Sequence, residues 1–176
     1  MNKVEWAYKN LKNIKVVDNL SDNDLCYIYF SSNALYTDPD SFVDKVINND
    51  RYEWEHIRPI IIPRREIFVR DVFRSWYVKG INEAIGNYDS LCSYLDKITK
   101  GYHVRCIGAS SGGYIATLVS SKLNFECISF AGQFSLLSHF DHYKNNAFLR
   151  QYILEHGDDS LELQKHYLKN KNIKIF

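Results

Sequence analysis

The sequence carries no excess of charge of either sign. Lys and Arg number 22 against 21 Asp and Glu, a formal charge of +1. That balance leaves no basic footprint for nucleic acid or an anionic membrane surface, so neither is expected as a partner. Long hydrophobic runs are missing too. No window approaches the roughly 18 apolar residues of a membrane span, and the opening MNKVEWAYKNLKNIKVVDN holds no apolar stretch of signal-peptide length. The 4 cysteines (Cys26, Cys92, Cys106, Cys127) form no C-x-x-C pair and no ligand-like spacing. Three of them fall in apolar runs, which predicts small buried residues in a reducing compartment. A cytoplasmic location is therefore expected. There is no internal repeat, low-complexity tract or Gly/Ser linker. The dinucleotide fingerprint G-x-G-x-x-G and the G-K-[ST] ending of a P-loop are both absent.

What remains is a chain of globular composition. Its 176 residues fit one domain, 1–176, long enough to bury a core without staples. Apolar residues make up 45% and aromatic ones 15%, suited to a strand-rich core or to carbohydrate contacts. The hydrophobic pattern predicts strands over residues 14–17, 25–30, 66–69, 103–107, 125–130 and 173–176. Residues 51–57 alternate weakly and read as a further strand. The Pro-bracketed triplet at 60–62 reads as loop or edge strand. Helices are predicted over 3–11, from a cap at Asp40 or Ser41 to about Asn48, over 88–100 from a cap at Asp89 or Ser90, and over 114–123, 147–154 and 161–168. Strands alternating with helices predict an α/β fold: a mainly parallel sheet with helices on both faces. Arg70 and Asp71 end a strand, placed either to line a pocket or to form a structural ion pair.

One motif is sharp. Gly108-Ala109-Ser110-Ser111-Gly112 matches G-x-S-x-G, with a further Gly113. It follows a buried-type strand and opens a helix, the setting a nucleophile elbow requires. Side chains two residues before and after the serine would collide in so tight a turn, and Gly108 and Gly112 remove them. The helix that follows aims its amides and positive dipole end at the same place, so the Ser111 N–H can donate to an oxyanion formed at Ser110. A Gly/Ser helix cap or anion-binding turn without chemistry is the other reading.

With these residues the chain resembles the α/β-hydrolase superfamily, and within it small serine hydrolase-like proteins encoded among bacterial surface-polysaccharide genes. The resembling stretch runs from Tyr27 to Gln133. It includes Tyr29-Phe-Ser-Ser-Asn33, Ile67-Phe-Val-Arg-Asp71, Trp76-Tyr77, Gly80-Ile81, Ile107 to Tyr114 and Phe130-Ala-Gly-Gln133. The resemblance implies Ser110 as nucleophile, with oxyanion donors from Ser111 N–H and from the loop of Ser31, Ser32 and Asn33. It implies a small-molecule ester as substrate, an acylated sugar among the candidates, with Asn33, Tyr36, Tyr114 and Gln133 near the site and expected to read a sugar's hydroxyls and faces. No cofactor or metal is expected.

A serine nucleophile needs a general base, normally a histidine oriented by a carboxylate. In the resembled fold the order is serine, acid, histidine, with the acid after the second strand beyond the elbow. Residues 173–176 are that second strand, so the chain is expected to lack the C-terminal strands of the fold. His139, Asp141 and His142 lie in the loop after the first strand beyond the elbow and are the candidates for base and acid. His156 and His166 sit in charge-rich helical surroundings and are expected at the surface. Two functions follow as expectations. One is a serine esterase, deacylase or acyltransferase working through an acyl-Ser110 intermediate. The other is a catalytically incomplete binding or complex subunit, or a truncated gene product, with an exposed sheet edge open to homo-oligomerisation.

Overall fold

A computed structural model of the chain describes residues 1–132, 135, 147–156, 162–163, 166 and 170–176. The described strands are β1 (Ile14–Asp18), β2 (Leu25–Phe30), β3 (Arg65–Val69), β4 (His103–Ala109), β5 (Glu126–Phe130) and β6 (Ile173–Ile175). The helices are α1 (Lys3–Asn10), α2 (Pro39–Phe42), α3 (Tyr88–Ile98), α4 (Ser111–Leu123) and α5 (Ala147–His156). A 3-10 turn covers Asn33–Leu35, and a π-helical turn over Val43–Asn48 continues α2. The strands form one sheet in the order β1-β3-β2-β4-β5-β6. β1 runs antiparallel to β3, and the other neighbours pair in parallel. The fold is thus the α/β class with a mainly parallel sheet.

The hydrophobic run of β2 places it at the sheet's centre, where both its faces are covered. One face of the sheet, with Cys26, Ile28, Phe30, Val69, Cys106 and Cys127, packs on residues of α3, α4 and α5 such as Leu95, Ile115 and Leu149. On the other face, Tyr27, Tyr29 and Phe68 pack with Tyr52. The cysteines are all free and buried, as expected. Burial pushes the Cys26 thiol up to about 12 and the Cys127 thiol to about 11. Among the described residues, no helix is long and apolar enough to cross a membrane.

Three helix starts differ from the sequence-based expectation. α4 begins at Ser111 and not at residue 114, its first turn taking in Gly112 and Gly113. Asp38, not Asp40 or Ser41, caps α2 by accepting from the Asp40 and Ser41 amides, with Pro39 in the first turn. Asn87 caps α3, and Ser90 completes the reciprocal pair from inside the helix. Residues 51–57 are a turn segment and not a strand, because their amides bond elsewhere than to a ladder. Tyr52 N–H donates to Glu55 Oε2 at 2.9 Å, Glu53 N–H to Ser31 Oγ at 3.2 Å, and Ile57 N–H to Trp54 O at 3.0 Å.

Arg70 and Asp71 lie just beyond β3 and do not pair with each other. The buried Arg70 guanidinium reaches Asp50 Oδ1 at 2.7 Å and Asn13 Oδ1 at 3.0 Å, and stands over the Tyr52 ring. Asp71 turns the chain that follows β3. Its carboxylate accepts from the amides of Phe73, Ser75 and Tyr77 and from Ser75 Oγ, at 2.6–2.9 Å. Those bonds hold Arg74, Trp76 and Tyr77 at positive φ. Burial pushes the Asp71 carboxyl up, against the pull of these donors.

Candidate active site

At the carboxyl end of β4 the chain turns sharply into α4, and Ser110 is the residue at the bend. Its φ of 51° and ψ of −121° are strained for any residue with a side chain. Its N–H donates to Phe130 O at 3.0 Å, and its carbonyl accepts from Tyr114 N–H at 2.9 Å. The side chain makes no capping bond to the helix and is exposed. A serine usually caps a helix through its hydroxyl, and here the hydroxyl points elsewhere.

The glycines are explained by close approach. A Cβ on Gly108 would stand 2.2 Å from Gly112 O, and one on Gly112 2.3 Å from Phe30 O. A Cβ on Gly113 would meet Ser129 Oγ at 2.6 Å. The start of α4 therefore rests directly on the backbone of β2 and on β5, which brings the ends of three parallel strands together beneath Ser110.

The loop after β2 supplies the rest. Ser31 N–H continues the sheet by donating to Val69 O at 2.9 Å. Ser32 N–H donates to Glu53 Oε2, and Ser32 Oγ donates to Glu53 Oε1 at 3.0 Å. Asn33 N–H donates to Ser111 Oγ at 2.9 Å, and Ala34 N–H to Ser32 Oγ at 3.1 Å. Ser111, fully buried as the first residue of α4, is thereby joined to the loop. Its own N–H has no partner within the helix, as for every first-turn amide. Tyr77 underpins the arrangement, its buried hydroxyl donating to Ser31 O at 2.7 Å. Burial pushes that phenol well above its ordinary value, so it stays neutral.

Ser110, Ser111, Ser32 and Asn33 thus converge at one end of the sheet. His139, Asp141, His142 and Gln133 lie outside the described residues. The described histidine rings have other partners: His56 meets Arg51, His103 pairs with Glu126, and His166 Nδ1 lies 3.0 Å from Ser121 Oγ. None of these contacts involves Ser110. Tyr36 and Tyr114 do not stand ready to read sugar hydroxyls. Tyr114 is fully buried against Trp76, and the buried Tyr36 hydroxyl donates to the carbonyls of Asp71 and Val72. Tyr36 instead helps to line an apolar cavity of about 500 Å³ with Phe42, Val72 and Phe73. The residue that sequence reasoning missed is Glu53, which sits in a segment read as a strand and belongs to no motif.

Compared with known proteins, the chain matches no protein-family model, and no curated protein matches it. Solved structures do share its fold. One is the fluorophosphonate-binding serine hydrolase FphF of Staphylococcus aureus, at a TM-score of 0.56 and 13% identity, over 92% of this chain and 70% of that one. Another is the capsule O-acetyltransferase of Neisseria meningitidis serogroup A, at a TM-score of 0.50 and 15% identity. There the match covers 92% of this chain and 63% of the transferase, so this chain spans less than two thirds of that protein's length.

Proposed function

We propose that the chain is a serine hydrolase or acyltransferase working through an acyl ester on Ser110. The observation that carries this is the elbow itself: an exposed serine hydroxyl held at φ 51° by glycines packed on strand ends, free of any capping bond. Strain of this kind persists only where the surroundings enforce it. In the first step Ser110 Oγ bonds to the ester carbonyl carbon while its proton passes to a general base. The carbonyl oxygen becomes an oxyanion, to which Ser111 N–H and an amide of the Ser32–Asn33 loop donate. The ester C–O bond then breaks, and the alcohol leaves with the proton. Water or a second hydroxyl compound takes the acyl group and restores Ser110. The base and its orienting acid are assigned to His139 or His142 and Asp141. An O-acylated sugar is the proposed substrate class. It draws support from the resemblance to polysaccharide-linked hydrolases and from the structural similarity to a capsule O-acetyltransferase. The free buried cysteines support work in a reducing compartment such as the cytoplasm.

The test is labelling of the purified chain with a fluorophosphonate probe, mapped by mass spectrometry, with Ser110→Ala as control. Labelling at Ser110 that the control abolishes is the expected result. A folded sample that takes no label overturns the reading and leaves the non-catalytic subunit. One observation favours that second reading: the Ser32 and Asn33 amides already have internal acceptors.

A further inference from the structure

We infer that Glu53 is a positioning residue of this site, anchoring the Ser32 amide so that the Asn33 amide is the loop's oxyanion donor. The inference rests on the acyl-Ser110 reading and adds what that reading leaves open, namely which loop amide works and what aims it. Residues 53 and 54 are bonded along residues 30–32. The Trp54 indole N–H donates to Phe30 O at 3.0 Å, and Glu53 N–H donates to Ser31 Oγ at 3.2 Å. The Glu53 carboxylate takes the N–H and the hydroxyl of Ser32, one on each oxygen. A single side chain from 21 residues downstream thus fixes both hydrogen-bond donors of Ser32.

The two loop amides are held very unequally. Ser32 N–H meets a carboxylate, and such charge-assisted bonds are roughly twice as strong as neutral ones. Asn33 N–H meets only a neutral hydroxyl, Ser111 Oγ, at 2.9 Å. An oxyanion is a far better acceptor than a hydroxyl, so it can take the Asn33 amide while Ser111 Oγ turns away. It cannot readily take the Ser32 amide, because Glu53 would lose its bond and two negative charges would meet there. Ser111 also brings the Asn33 amide to the head of α4, beside the Ser111 N–H. The resting site therefore keeps its second donor in place with a weak internal substitute, and Glu53 carries the fixed end of the loop.

The test uses the full chain and three variants, Glu53→Ala, Glu53→Gln and Ser110→Ala, with p-nitrophenyl acetate and a fluorophosphonate as probes. Glu53→Ala is expected to lower kcat and the labelling rate on the order of tenfold to a hundredfold, less than the full loss of one donor, with KM little changed. Glu53→Gln, which keeps one acceptor oxygen, is expected to recover part of that loss. In amide NMR spectra, the fluorophosphonate adduct on Ser110 should shift the Asn33 N–H and leave the Ser32 N–H in place. A faster Glu53→Ala enzyme would make Glu53 a block and overturn the proposal, as would an adduct that shifts Ser32 and not Asn33. If the wild-type chain neither labels nor turns over, the hydrolase reading fails by itself. The Ser32 and Asn33 amide shifts of Glu53→Gln then decide the anchor: unchanged shifts remove it.

Discussion

At Ser110 the ordinary rule for a helix start is inverted. Replacing a capping serine with glycine normally costs a few tenths of a kcal/mol, because a hydrogen bond is lost. Ser110 makes no capping bond and sits where a Cβ is strained, so Ser110→Gly should stabilise the fold by about 1 kcal/mol. Urea unfolding of the two proteins checks this, and an unchanged or lowered midpoint would refute the strain. The neighbouring glycines offer a second contrast. Ser129 Oγ is buried without a hydrogen-bond partner among the described residues, and it is the nearest obstacle to a Cβ at Gly113. Gly113→Ala should cost about 1–3 kcal/mol by overpacking, and adding Ser129→Ala should return part of it. Gly112→Ala should find no such relief, since its obstacle is the Phe30 carbonyl. A double-mutant cycle measured by thermal unfolding separates the two cases.

Among the elements, β4 and β5 are tied at their amino ends by Arg105, His103 and Glu126. Burial pushes the Glu126 carboxyl up, but the bonds from Arg105 and His103 outweigh it and hold it below its ordinary value. A carboxylate lowered by folding adds stability above the unfolded carboxylate range and loses it as pH falls through the folded value. The stability gap between wild type and Glu126→Gln should therefore be present at pH 7 and close below about pH 4. Unfolding melts across that range would show it, and a gap independent of pH would remove the ion pair as its source. The elements themselves were mostly legible in the sequence. β2 is an unbroken apolar run, and the strand, the G-x-S-x-G turn and the helix follow each other without a gap. Residues 51–57 misled because their alternation is real but serves another purpose. Tyr52 and Trp54 pack with the aromatic cluster on the sheet, while Glu53 turns to Ser32. Sidedness is written in residue types, whereas the partners of the backbone amides are not. For the same reason the roles of Glu53 and Asp71 could not be read: each is defined by the amides it meets, and amides carry no residue-type signal.

For the molecule as a whole, the site is a junction of distant stretches. Asn33 N–H and Ser111 Oγ are 78 residues apart in sequence, and Ser110 N–H needs the end of β5. Parallel pairing of β2 with β4 spans the same separation. Contacts of this range form slowly, since the chain between them must first be closed into a loop. A partly folded chain thus contains the whole G-x-S-x-G motif and none of the surroundings that shape it. The geometry around Ser110 arrives only when the centre of the sheet closes, and it is lost when β2 parts from β4. Ser110 is in effect a gauge of sheet assembly: its strained turn is held where β2, β4 and β5 have met, and no fragment short of that shapes it.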